Sequence, residues 1–493
     1  MKRYMGYIAQ KFSNRHILFL AFWILIALLF QFYKIISLPP LSIHQGAQSD
    51  RASIALNYYQ KSMNFFEPRV METCTKEGIT PCEFPLINYS VSLLYRAFGY
   101  SPFWYRFLMW CFMGIGLWAA FDLLCLWLAN KWAALLVSFT WFFSGILTFY
   151  TPNFLPDTAS LAFMLLALRQ WFIYQNKPSN WGLAWFALFA ALACLIKITS
   201  LVFVVAIVLV ALLQFLKQRE RPNLVWAAIG VFLMVFCWYW YCKWLEKKVG
   251  GSYFLMSMAM PSSVAELKEW FHIYYANWFL QTYNLAQWLF IGLGIVAVPF
   301  TKEKPVLKYF ASISLVGILC FYLLMAGQFR YHDYYSITLL PVFLFFMAFG
   351  FKWLLSIKPV VAYGVVFIIA AWGLVDAKNN FRLRYTKGNY LYQTFFEPQD
   401  FEGTEQWLTK NGIGKNHKVL AAFDINPNTL LYFLNRQGYR VYDHDYAFVK
   451  GKLDDVAAVV TNDSTEFFKR YPETRKRLTY KSTLKSWVLY NVK

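Results

Sequence analysis

The strongest constraint in this sequence is a series of apolar runs, each long enough to cross the roughly 30 Å of hydrocarbon in a bilayer. About eleven are readable, near residues 16–36, 104–129, 131–150, 156–175, 181–197, 200–217, 223–244, 285–300, 307–326, 334–356 and 359–377. Lipid offers the backbone no water to bond, so such segments must close their hydrogen bonds internally as helices. Of 493 residues, 59% are hydrophobic, 21% aromatic and only 15% charged, which excludes an ordinary soluble domain. The expected fold is an all-α polytopic membrane protein, residues 1–377, with about eleven transmembrane helices.

The net charge of +21 would elsewhere raise nucleic acid as a partner. Here the basic residues fall in alternate connections: Lys2, Arg3, Lys11 and Arg15, then Lys131, Arg169, Lys177, Lys217, Arg219, Arg221, Lys302, Lys304, Lys308, Lys352 and Lys358. That bias is the one that orients membrane proteins, so no nucleic-acid partner is called for. It places the N-terminus in the cytoplasm and the long loop 37–103 outside. The basic start and the run Ile17–Phe30 resemble a signal peptide, but no small-residue cleavage site follows; a retained signal-anchor helix is expected.

After Lys378 the composition turns mixed and polar. Lys418–Phe423, Tyr439–Tyr442 and Val456–Val460 read as strands, with helices at Asn428–Asn435 and Ser464–Tyr471 between them. Residues 378–493 are thus expected to form a small C-terminal α/β domain, extracytoplasmic if the span count is odd.

The outer loop holds the first candidates for chemistry. Asp50 precedes a helical pattern at Arg51–Met63, and Glu83 precedes another at Leu86–Phe98, whose residues Leu86, Tyr89, Leu93, Leu94 and Ala97 suit a helix lying among lipid headgroups. Each acid reads equally as a first-turn carboxylate that favours the helix. Asp50, flanked by Gln45, Gln48 and Arg51, is also placed to take a proton from an incoming hydroxyl. Cys74 and Cys82 in this loop are close enough to form a disulfide in an oxidising compartment, or to stay free.

Further acids and bases interrupt the apolar runs. Asp157 follows Pro156 at a helix start, where an acid is ordinary structure. Asp122, inside a run, suits a helix-packing contact, while an acid within the membrane is also a functional candidate by default. Lys197 and Arg330 stand in short outer connections that otherwise lack basic residues. A bound anion explains them, as does pairing to Asp157 or Asp333, or snorkelling to headgroups. His332, Tyr334 and Tyr335 cluster beside Arg330. Asp443, His444 and Asp445 are too close in sequence to reach one metal ion readily.

Gln48-Ser-Asp50 with its following helix, Glu83-Phe-Pro-Leu86, Leu155-Pro-Asp157 and His332-Asp-Tyr-Tyr335 running into Leu339-Leu-Pro341 occur in an order that resembles bacterial GT-C type glycosyltransferases, the superfamily of protein O-mannosyltransferases and aminoarabinose transferases. The resemblance covers roughly residues 1–377, and the tail is similar to the outer domain of some members around Asn426-Pro-Asn-Thr-Leu-Leu-Tyr432. Members with paired Asp-Glu in the first loop differ, since Arg51 follows Asp50 here.

The resemblance implies inverting transfer of a sugar from a polyprenyl-phosphate carrier in the bilayer to a hydroxyl or amine of a protein, lipid or glycan acceptor at the extracytoplasmic face of the bacterial inner membrane. Asp50 would be the catalytic base. Lys197, Arg330 and His332, with Tyr334 and Tyr335, would bind the phosphate, and Glu83 and Asp157 would orient substrate. No cofactor is required; a divalent metal at Asp157 is left open. The competing readings are a transporter or flippase of a lipid-linked glycan, which calls for inverted repeats or helices broken at mid-membrane, and a non-catalytic assembly subunit.

Overall fold

In the computed structural model, residues 2–218, 222–254 and 260–493 are described, with side chains from residue 14 and outside 218–222 and 255–259. Lys2, Arg3, Lys11, Arg219 and Arg221, counted in the charge bias, lie outside the described side chains. The chain divides into two compact units. The first comprises Met1–Ile36, Arg106–Tyr239 and Ser257–Tyr385, and the second Ser37–Tyr105, Trp240–Met256 and Thr386–Lys493.

The first unit is helical, and its apolar runs become helices for the expected reason. Among the described residues five helices are long and apolar enough to cross a membrane: Pro102–Leu128, Ile198–Lys217, Asn223–Val249, Pro305–Leu324 and Pro359–Arg384. Counting each of two bent pairs as one span raises this to seven, and Asn14–Leu29 and Asn180–Ile196 are shorter apolar helices. This is a multi-pass membrane protein, although these criteria yield fewer crossings than the eleven runs suggested.

The difference has local causes. The run 131–150 is split into Lys131–Phe142 and Gly145–Tyr150, because Ser144 turns its hydroxyl onto the amide of Leu147 and starts a new helix. The run 334–356 opens as a short 3-10 turn, Asp333–Leu339, bent by 56° from Pro341–Ile357. Proline opens several helices, among them those at Pro102, Pro305, Pro341 and Pro359, where a missing N–H costs nothing.

Asp122 makes the packing contact expected of it. It is fully buried and bridges two helices, with Arg15 Nη2 at 2.8 Å and Arg169 Nη2 at 2.7 Å. A lone carboxylate there would carry a desolvation penalty of several kcal/mol.

The second unit contains a five-stranded sheet, β1 (Val419–Ala422), β2 (Gly438–Val441), β3 (Ala458–Thr461), β4 (Leu478–Leu484) and β5 (Trp487–Val492), in the order β2-β1-β3-β5-β4. The first three are parallel and are the strands the sequence suggested. Helix Thr429–Leu434 lies between β1 and β2 and Ser464–Arg470 follows β3, while Tyr446–Leu453, between β2 and β3, was not among the helices read. The antiparallel β4 and β5 escape a reading by apolar runs because β4 is mostly exposed and polar. Leu420, Tyr439, Val441, Val459 and Phe467 fill the core.

The loop after the first helix joins this sheet. Gly438 N donates to Met71 O (3.1 Å), and Thr73 N donates to Gly438 O (2.8 Å), so residues 71–73 run beside the start of β2. Gly438 is needed there, since a Cβ would lie 1.8 Å from Val419 O. In helix Leu86–Phe98 the buried face is Ile87, Asn88, Val91, Ser92 and Tyr95, which leaves Leu93 49% exposed on the apolar stripe read from sequence. Cys74 and Cys82 are both free thiols, the first exposed and the second buried.

Candidate functional site

Asp50 does not start a helix. Its helix runs from Gln45 to Gln60, starting six residues earlier than expected, with His44 as N-cap at φ 57°. The helix-start reading of Asp50 is therefore overturned, and the carboxylate sits in the second turn with 15% of its side chain exposed. The flanking glutamines are structural. Gln45 Nε2 donates to Phe396 O (2.7 Å) and its Oε1 accepts from Phe396 N (3.1 Å), while Gln48 Nε2 donates to Leu41 O (2.7 Å) and Ile43 O (2.9 Å). Both satisfy backbone that would otherwise be buried without partners.

Asp50 is held from the tail. Asn428 Nδ2 donates to Asp50 Oδ1 at 2.8 Å, and Asn428 Oδ1 accepts from Met71 N (3.0 Å) and Glu72 N (2.9 Å). Gly46 permits the close approach, since a Cβ would lie 2.2 Å from Asn426 Oδ1. On the other side Arg51 Nη1 lies 3.7 Å from Asp50 Oδ2, and Arg51 Nη2 donates to Glu83 Oε1 at 2.6 Å. Glu83 thus meets Asp50 through a shared arginine.

Two further acids surround this group. Glu72 is buried, with Arg440 Nε 3.7 Å from its Oε1. Asp424 is fully buried, accepting from Asn426 N (2.9 Å) and Leu430 N (2.6 Å) and so capping helix Thr429–Leu434. Burial pushes the Asp50 carboxyl up from the ordinary carboxylate range, against the pull of Arg51 and Asn428. Burial raises Glu72 and Asp424 to about 7, with Arg440 and the backbone amides respectively as the main opposing influences. The sequence reading missed Asn428, Glu72, Asp424 and Arg440. The run Asn426-Pro-Asn428 was visible, but nothing in it pointed to Asp50.

The Glu72 shift has a measurable sign. A carboxyl that binds its proton more tightly when folded adds stability fully present below about 4.5 and lost as pH rises through about 7. Thermal unfolding of this unit is therefore expected at lower temperature at pH 8 than at pH 5, and Glu72→Gln should flatten that slope. A slope unchanged in the variant would refute the assignment to Glu72.

In the first unit, Asp157 opens helix Asp157–Asn176 and lies 3.4 Å from Lys197 Nζ, with 1% and 7% of the two side chains exposed. Pairing, rather than snorkelling, is what buries Lys197. Its ammonium also lies 5.9 and 5.7 Å from the ring centres of Tyr334 and Tyr335, within cation–π range. His332 packs nearby, its ring centre 5.3 Å from that of Tyr334 in a tilted arrangement and 5.8 Å from that of Tyr335 edge to face. Thr199 and Thr338 share a 2.6 Å hydrogen bond that ties these two segments together.

Arg330 differs from the others, its guanidinium stacking 4.7 Å from Trp270 and 4.4 Å from Tyr331. Asp333, one partner considered for it, is bound instead by Arg384 Nη2 at 2.9 Å and by Tyr150 Oη at 2.7 Å. Gln281 Oε1 accepts from the same Arg384 nitrogen at 2.5 Å. Among the described residues no three His, Cys, Asp or Glu side chains are grouped to hold a metal. Asp445 caps a helix through Phe448 N (2.8 Å), and Asp443 lies 3.4 Å from Arg470.

Known proteins can be set beside this geometry. Residues 57–245 match the Alg9-like mannosyltransferase family. The chain is similar in structure to ArnT from Cupriavidus metallidurans bound to undecaprenyl phosphate, with a TM-score of 0.62 and 12% identity over 97% of this chain and 98% of that one. Against the apo state of ArnT the TM-score is 0.63 at 11% identity, with the same coverage. The arabinofuranosyltransferase AftD from mycobacteria gives 0.54 at 10% identity, covering 96% of this chain and 41% of that one. No curated protein is a significant match in sequence. At such identities a structural likeness establishes the fold, while the family match bears out the expected glycosyltransferase. The chain thus carries the fold of ArnT, and residues 57–245 match a mannosyltransferase family, as its resemblance to GT-C type glycosyltransferases led one to expect.

Proposed function

We propose that the protein is an inverting glycosyltransferase that moves a sugar from a polyprenyl-phosphate carrier to a hydroxyl or amine of a protein, lipid or glycan. The reaction takes place at the extracytoplasmic face of the bacterial inner membrane, with the N-terminus in the cytoplasm and the tail outside. The donor class is supported by the likeness to ArnT, a structure of which holds undecaprenyl phosphate. The observation that carries the reading is Asp50: a carboxylate with one oxygen anchored, the other beside Arg51, and a proton affinity raised by burial. A base is most effective when its pKa lies nearer the working pH than a solvated aspartate's does.

The chemistry needs little else. A sugar phosphate already bears a good leaving group, so no acid has to protonate the bond that breaks. Asp50 takes the proton from the acceptor, whose oxygen or nitrogen then attacks the anomeric carbon from the face opposite the phosphate. The C–O bond to phosphate breaks and its electron pair leaves with the polyprenyl phosphate. Lys197, oriented by Asp157 and framed by Tyr334, Tyr335 and His332, supplies the positive charge and donors that such an anion requires. Arg330 adds a second cation, and Glu83 orients the acceptor through Arg51.

Purified protein in lipid bilayers, given a labelled polyprenyl-phosphate sugar and an acceptor mixture, is expected to transfer the sugar with inversion. NMR of the product's anomeric proton decides it. Retention of configuration would refute single displacement, and the absence of transfer to any acceptor class would refute the function.

A further inference from the structure

We propose that Asn428 is a positioning residue for Asp50: it holds Oδ1 so that Oδ2 alone is presented to receive the acceptor's proton. This rests on Asp50 being the base. The argument begins with the amide's orientation. Two backbone N–H groups, of Met71 and Glu72, donate to Asn428 Oδ1, which fixes that atom as the oxygen and leaves Nδ2 as a donor aimed at Asp50 at 2.8 Å.

Asn428 is itself 0% exposed, so its amide is set by protein alone. Asp50 Oδ1 is thereby occupied by a hydrogen bond. Oδ2 has Arg51 Nη1 at 3.7 Å, beyond hydrogen-bond distance, and is the oxygen left to accept a proton. A donor on the carboxylate favours its charged form, so Asn428 also moderates the rise in proton affinity that burial causes. The charged groups facing Asp50 are Arg51 from its own helix, Glu83 and Glu72 from the loop, Asp424 after β1 and Arg440 from β2. The tail sequence thus supplies part of the catalytic apparatus.

Asn428→Asp separates this role from mere loop anchoring. The new carboxylate still accepts from Met71 and Glu72, but it replaces the donor to Asp50 with a second negative charge. The expected result is folded protein with unchanged KM for the lipid donor, the acid limb of the rate profile moved up by about one pH unit, and kcat therefore lower by about 10-fold at pH values on that limb. Asn428→Ala, which removes the donor without adding charge, should shift the limb in the same direction. A wild-type pH profile in folded Asn428→Asp would overturn the proposal, as would both variants failing to fold, which would make Asn428 structural only. Failure of the base assignment is seen separately, as transfer retained by Asp50→Asn. An inactive Asp50→Asn beside a wild-type-like Asn428→Asp would discard the positioning role alone.

Discussion

Asp50→Asn is expected to lower kcat by about 10²–10⁴-fold, the contribution of a positioned general base, while the protein stays folded. The substitution preserves shape, and the new amide oxygen can still accept from Asn428 Nδ2. Arg51 keeps its 2.6 Å bond to Glu83, so the local scaffold survives. Binding of polyprenyl phosphate should be unchanged, because the residues assigned to the phosphate lie elsewhere in the sequence. In the parent protein the active form is the carboxylate, so the rate should rise with pH through a pKa above that of ordinary aspartate. Transfer in folded Asp50→Asn within about threefold of the parent rate would sink the assignment, since general-base removal costs far more than that.

The second large effect is one of stability. Arg384→Ala is expected to cost about 3–5 kcal/mol, because it strips the counter-ion from a carboxylate with no access to water. Asp333 and Arg384 are both 0% exposed, and the guanidinium additionally rests 4.7 Å from the ring of Phe149. Tyr150 would still donate to Asp333, but a neutral hydroxyl does not offset a buried charge. Activity should fall too, since Asp333 opens the turn that carries Tyr334 and Tyr335 to Lys197. Thermal unfolding in detergent is the measurement. The double variant Asp333→Asn, Arg384→Met should recover much of the loss, as replaced ion pairs commonly do. An Arg384→Ala protein that melts like the parent would show that the pair contributes nothing.

The membrane character, the positions of most long helices and the three parallel strands of the tail were all legible in the sequence. Each is a local matter: apolar length makes the helices, and short, mostly apolar runs that end up buried make β1–β3. Candidate residues were legible as outliers from those patterns. Lys197 was conspicuous because it interrupts an apolar connection, and Asp157 was a possible partner by charge. The start of the Asp50 helix was not legible, because Gln45 and Gln48 look like polar loop residues until their buried backbone partners are known. The split after Phe142 was equally hidden, since Ser144 caps the next helix inside an unbroken apolar run.

Partnership between distant residues came from tertiary structure alone. Asp50 and Asn428 are 378 positions apart, and the Asn428 amide reaches the carboxylate because residues 71–73 pair with β2 and Gly46 lets the Asp50 helix come close to Asn426. The choice of Arg384 over Arg330 as the counter-ion of Asp333 was settled in the same way, by which cation the packed helices bury beside it. Hydropathy and helix-starting residues act over a few turns of chain, so they can be read in order. A buried charge is stabilised by whatever group lies within a few ångströms, and chain order does not specify that group.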